Sequence, residues 1–159
     1  GSATGTAEDA AERVAREASA RHWVPTVLAA DALDPSQLPS LPRVVWVVAT
    51  AGQGECPPTM RATWRVLLSA GLPTDALAAS SFAAFGLGDS SYPKYNVAAK
   101  RLRNRLLALG CREVVPMGLG DDQHPSGPDA GLDPWLEKLW EALRGEVPLP
   151  PGAEDPAGG

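Results

Sequence analysis

Apolar residues follow two rhythms along this chain. Val44-Val45-Trp46-Val47-Val48-Ala49 and Ser81-Phe82-Ala83-Ala84-Phe85-Gly86-Leu87 are unbroken runs, the mark of strands covered on both faces. Elsewhere apolar residues recur every three or four positions and predict helices. Ala7, Ala10, Ala11, Val14, Ala15 and Ala18 place a first helix up to about Arg21, with a small, flat apolar face. Met60, Trp64, Leu67 and Leu68 give a second, ended by Gly71, and Val97, Leu102, Leu106 and Leu109 a third, ended by Gly110. Leu132, Trp135, Leu136, Leu139, Trp140 and Leu143 give the strongest periodicity, with Asp133 predicted as its cap and Pro134 in its first turn. Two further strands are predicted, Val24 to Ala29 and Glu113 to Leu119. Trp46, Trp64, Trp135 and Trp140 fall at core positions, and Trp23, beside a turn, has no assigned place.

Strands alternating with helices imply an α/β domain with a doubly wound parallel sheet and helices on both faces. Pro25 and Pro116 each remove a ladder donor, so their strands belong at sheet edges. The runs at Val44 and Ser81 contain no proline and belong inside.

A length of 159 residues suits one domain with a proper core. The net charge of −5 argues against nucleic acid or an anionic membrane surface as main partner. No apolar stretch approaches the roughly 20 residues that span a bilayer, and no signal peptide is visible. Cys56 and Cys111 lack ligand spacing and read as reduced bystander thiols, which suits the cytoplasm. The expected organisation is a domain over 1–145 followed by a Pro/Gly-rich linker over 146–159.

Candidate chemistry gathers in three loops, each at the end of a predicted strand or start of a helix. Gly86 to Asn96 follows a buried strand with glycines, then two tyrosines, Tyr92 and Tyr95, flanking Pro93. Such a loop at a strand's carboxyl end suits a flat aromatic ligand, and polar Asp89, Ser90, Ser91, Lys94 and Asn96 favour this over a core tyrosine pair. The opening Ser2, Thr4, Gly5 and Thr6 set hydroxyls before a helix start, which suits a phosphate monoester; a plain N-terminal tail fits the same residues. There is neither a P-loop lysine nor a GxGxxG turn. Thr50 to Pro58, with Gly52 and Gly54, lets backbone approach a ring, although taken alone it reads slightly better as a strand-to-helix turn. Gly120-Asp121-Asp122-Gln123-His124 reads as polar closure of a ligand pocket rather than a metal site, and His22 and His124 as solvated surface.

These three loops, in this order, resemble the FMN-binding, flavodoxin-like domain of the diflavin reductases. Gly52-Gln53-Gly54 before Pro57-Pro58, Gly88 to Asn96, Gly120 to His124 and Leu132-Asp133-Pro134-Trp135-Leu136 resemble the NADPH-dependent diflavin oxidoreductase subfamily more than cytochrome P450 reductase. The resemblance implies an FMN site over Ser2, Ala3, Thr4, Gly5, Thr6 and Ala7; Ala49, Thr50, Ala51 and Gly52; Leu87, Gly88, Asp89, Ser90, Ser91, Tyr92, Pro93, Lys94, Tyr95 and Asn96; and Asp122. It implies no catalytic acid, base or nucleophile and no metal. FAD and NADPH would sit on another part of a longer protein, and an iron–sulfur acceptor of the anamorsin type, in cytosolic iron–sulfur protein assembly, would take the electrons.

Three departures stand out. Ala3 replaces the usual Gln or Glu, Cys56 replaces a frequent Asp, and Ala51 stands where relatives often carry Tyr, Phe or Thr, leaving ring stacking to Tyr92. Two rivals remain at this point, a free-standing flavodoxin and a flavin-free regulatory module of the same fold. In the flavodoxin order 2-1-3-4-5 the strand feeding the phosphate loop is central, and it is missing ahead of Gly1. The expected consequence is weak stability together with poor FMN binding, or else a gap where the Val24 and Val44 strands fail to pair.

Overall fold

The computed structural model describes residues 6–49, 60–69, 71–88, 91, 96–121, 123–127 and 129–146. At its centre lies β2 (Ser81–Gly88), every residue of which is buried. It pairs in parallel with β1 (Arg43–Ala49) on one side, Val47 opposite Phe85 and Ala49 opposite Leu87. On its other side it pairs with β3 (Arg112–Glu113) and, further along, with β4 (Gly118–Asp121), both parallel. Four helices cover this sheet: α1 (Thr6–Ala20), α2 (Arg61–Leu67), α3 (Val97–Ala108) and α4 (Asp129–Glu146).

Alternation along the strands divides the core in two. Val47, Ala83, Phe85 and Leu87 point toward one layer with Val14, Ala18, Leu132, Trp135, Leu139 and Trp140, so α1 and α4 share that face. Trp46, Val48, Phe82 and Ala84 point the other way, toward Met60, Leu67, Leu102 and Leu106 of the α2/α3 layer. Period-2 alternation beneath two helical layers is what the unbroken apolar runs require.

The parallel sheet and its two helical layers match the sequence reading, with five local differences. The strand at Val44, read as interior, pairs with β2 alone among the described residues and so lies at the sheet edge. Residues 24–29 form no strand: Val24 is 97% exposed, Val27 44% and Leu28 54%. Pro25 lacks an N–H, and no strand lies alongside the segment among the described residues, so it finds no ladder. The last strand is two short pieces rather than one, because Pro116 interrupts it; the pieces do lie at the β2 edge as proline placement implied. α2 stops at Leu67, before Gly71. α4 starts at Asp129 rather than at an Asp133 cap, with Pro134 inside the helix. Asp133 instead accepts from the Arg13 guanidinium at 2.5 Å. The third helix ends as read: Gly110 at φ +85° lets Cys111 N–H donate to Leu106 and Gly110 N–H to Leu107, satisfying the final carbonyls.

Trp46, Trp135 and Trp140 are buried and Trp64 packs partly against the second core, as expected. Trp23, unplaced from sequence, packs at the margin of the first core under the Arg43 guanidinium, 5.7 Å from its ring centre.

Candidate functional site

In a parallel sheet with helical crossovers, ligands are held outside the carboxyl ends of the strands. Those ends are level here, since Ala49 lies opposite Leu87 and Gly88 opposite Asp121. α4 follows β4 and runs back along the sheet. α1 lies beside α4 in parallel: Arg13 pairs with Asp133, Trp140 Nε1 donates to Glu17 Oε1 at 3.2 Å, and Arg144 donates to the Arg21 carbonyl at 3.3 Å. The first turn of α1, Thr6 and Ala7, therefore lies at the same edge as the first turn of α4. Ala7 is 1% exposed, so the turn is seated firmly on the core.

Small residues shape this edge. Asn96 is fully buried at φ 53°, a left-handed conformation that Asn tolerates, just before α3. Its Nδ2 donates to the Gly120 carbonyl at 3.4 Å, tying α3 to β4. A Cβ at Gly86 would stand 2.7 Å from Asn96 Oδ1 and 2.9 Å from Ala99, and one at Gly88 3.0 Å from Oδ1. Glycine at both positions is thus the condition for seating Asn96. Asn96 Oδ1 has no hydrogen-bond partner among the described residues, an orphaned buried acceptor at the ligand edge.

Of the residues read from sequence, Thr6, Ala7, Ala49, Leu87, Gly88 and Asn96 come together at this edge. Leu87 offers only backbone to it, its side chain being 4% exposed in the core. Ser91 is exposed. Ser2, Ala3, Thr4, Gly5, Thr50, Ala51, Gly52, Asp89, Ser90, Tyr92, Pro93, Lys94, Tyr95 and Asp122 lie outside the described residues. Gly86 and Gly120, which open two of the candidate loops but are not among the residues that the resemblance assigns to FMN, take part here by making room for Asn96 and accepting from it. After β4, Asp121 Oδ1 accepts from Gln123 N–H at 2.9 Å and His124 Nδ1 from Ser126 N–H at 3.0 Å, so both side chains shape the turn itself. His22 and His124 are exposed, as expected.

The residues present fit a phosphorylated flat ligand. The first turn of a 15-residue helix offers backbone donors at the ligand edge, and Ala49, Gly86 and Gly88 keep the strand ends low. A cavity of about 10 Å³ beneath the opposite end of β2, lined by Leu38, Ser80 and Cys111 among others, has room for one water and no more. Among the described residues no group of three or more His, Cys, Asp or Glu could hold a metal, and no helix is long and apolar enough to cross a membrane.

Cys111 is buried, and burial pushes its thiol up to about 11. A group about three units above pH 8 is roughly one part in a thousand thiolate there. In a Cys56→Ser variant, a colorimetric disulfide reagent at pH 8 should leave Cys111 unreacted until denaturant is added. Rapid stoichiometric labelling of the folded chain would contradict the burial.

An open, doubly wound parallel sheet with a helix N-terminus and small-residue strand ends at one edge defines a mononucleotide-binding α/β domain. The flavodoxin family model matches residues 1–135, and the chain belongs to the flavodoxin family. The chain is 48% identical over 150 residues to NADPH-dependent diflavin oxidoreductase 1 of Bos taurus, covering 94% of this chain and 25% of that protein. It is 49% identical over 143 residues to the protein of that name from Arabidopsis thaliana, covering 89% and 23%. The chain thus spans about a quarter of the length of these relatives. A cysteine-to-alanine variant of flavodoxin from Pseudomonas aeruginosa superposes with a TM-score of 0.77 at 28% identity, covering 91% of this chain and 95% of that one.

Proposed function

We propose that residues 1–145 form the FMN-binding electron-transfer domain of an NADPH-dependent diflavin reductase, with 146–159 a linker to a part that binds FAD and NADPH. The observation that carries this reading is the meeting of the α1 N-terminus with the level, small-residue ends of β1, β2 and β4, in a chain that resembles proteins named for two flavins. Bound FMN supplies the redox chemistry; this chain supplies binding, orientation and local charge. Backbone amides at the start of α1, with Ser2, Thr4 and Thr6, hold the phosphate. Ala49 to Gly52 and Leu87 to Asn96 flank the ring, with Tyr92 stacked on it. Asp89, Asp121 and Asp122 place negative charge near the ring and oppose further negative charge there. Electrons would pass to an iron–sulfur acceptor protein of the anamorsin type in cytosolic iron–sulfur protein assembly.

Fluorescence titration tests the reading. FMN should bind more tightly than riboflavin, since only FMN offers a phosphate to the α1 turn; equal affinities overturn the phosphate site. Stacking on an aromatic is worth roughly 1–3 kcal/mol, so Tyr92→Ala should weaken FMN binding about ten- to a hundredfold. Unchanged affinity in that variant removes Tyr92 from the site.

A further inference from the structure

The two helical layers carry opposite charge. α1 has Glu8, Asp9, Glu12 and Glu17 against Arg13 and Arg16, and α4 has Asp129, Asp133, Glu137, Glu141 and Glu146 against Lys138 and Arg144. Across the sheet, α2 carries Arg61 and Arg65, and α3 carries Lys100, Arg101, Arg103 and Arg105; neither helix contains an acidic residue. A chain of net charge −5 thus has two purely cationic helices on one face, bordered by the acidic Asp31 of the short Ala30–Ala32 helix that touches α2. The layers lie on opposite faces of the sheet, on the order of 20 Å apart at ordinary packing distances. That exceeds the screening length of about 8 Å at physiological salt, so the acidic layer does not cancel the basic one at its surface.

Two of these cations have structural work. Arg103 forms a two-pronged pair with Glu113, and Arg105 Nε donates to the Leu67 carbonyl at 2.5 Å, bridging α3 to the end of α2. Arg61, Arg65 and Arg101 are exposed and form no ion pair among the described residues. Arg61 with Arg65, and Arg101 with Arg105, are like charges four residues apart, an arrangement that costs helix stability. Interspersed with them, Val66, Leu68 and Leu107 are 38%, 53% and 39% exposed.

We propose that the α2/α3 face is a docking surface for an acidic protein surface with apolar residues among its carboxylates. Guanidinium groups pair with carboxylates in two-pronged geometry, and Val66, Leu68 and Leu107 offer contacts that a phosphate backbone would not use. The acidic α1/α4 layer repels the same partner, so the charge asymmetry selects which face is presented. The surface starts at the first turns of α2 and α3, beside the ligand edge, and runs from there down the outer faces of the two helices.

The probe is a labelled amphipathic helical peptide with glutamates on one face and leucines on the other, titrated with the full chain at low salt. The expected result is binding that weakens with salt and falls at least about tenfold in Arg61→Glu/Arg65→Glu/Arg101→Glu. Glu12→Lys/Glu137→Lys, on the opposite layer, should bind the peptide at least as tightly as the parent. Thermal midpoints no lower than the parent's, with FMN still bound, in both variants separate loss of docking from loss of fold or cofactor. No binding by the parent, equal binding by the triple variant, or equally tight binding of a single-stranded oligonucleotide of the same charge overturns the proposal.

Discussion

Phe85→Ala lowers the stability of the domain by about 3–5 kcal/mol, the range for deleting a fully buried aromatic ring. Phe85 is wholly buried on the central strand, its ring tilted against Trp135 with centroids 5.3 Å apart. It also covers the neighbouring strand: a Cβ at Gly118 would stand 2.7 Å from the Phe85 ring and 2.6 Å from Trp135. The Phe85 and Trp135 rings together fill the space that the missing side chain of Gly118 leaves. A loss of this size is a large part of the 5–15 kcal/mol that holds an ordinary domain together. Urea unfolding measures it directly, and a change below about 1 kcal/mol would mean that the α1/α4 core is not built around this ring.

The second large effect comes from one substitution made twice in the same helix. Alanine normally improves a helix over glycine by about 1 kcal/mol. At Gly145 nothing among the described residues lies within 4 Å of the added methyl, so Gly145→Ala should gain up to that amount. At Gly131 the methyl would stand 2.4 Å from the Leu119 carbonyl oxygen, backbone that cannot swing aside. Gly131→Ala should therefore lose about 1–3 kcal/mol despite the better propensity, as α4 is pushed off β4. Paired thermal melts decide the matter by sign. Equal gains at the two positions would show that α4 does not approach β4 this closely.

Much of this architecture was legible along the chain because it rests on local rhythm. The runs at Val44 and Ser81 pair as parallel neighbours, and Ala7, Val14 and Ala18 become the buried stripe of α1. What sequence misread depends on partners distant in the chain. Val24 to Ala29 has a strand's composition, but a strand exists only with a neighbour to bond, and this segment has none among the described residues. Asp133 and Pro134 make a persuasive local start signal for a helix. Burial of Leu132 at 2% exposure and the close seat of Gly131 on β4 extend α4 by a turn beyond it. At the strand ends, glycine spacing marked a candidate loop in sequence, but Asn96 read there as one of the polar residues facing solvent; its complete burial and its partnership with Gly120 required the fold.

The pairing of α1 with α4 has a consequence for how the chain assembles. Arg13 meets Asp133 across 120 positions, and Glu17 meets Trp140 across 123. The α2/α3 half can gather through shorter loops, but the other half must close loops of 120 and 123 positions before its contacts return any free energy. Half of the hydrophobic interior thus waits on α4. Until α4 docks, the alanine stripe of α1 and the ring of Phe85 stand uncovered, and the first turn of α1 has no fixed address.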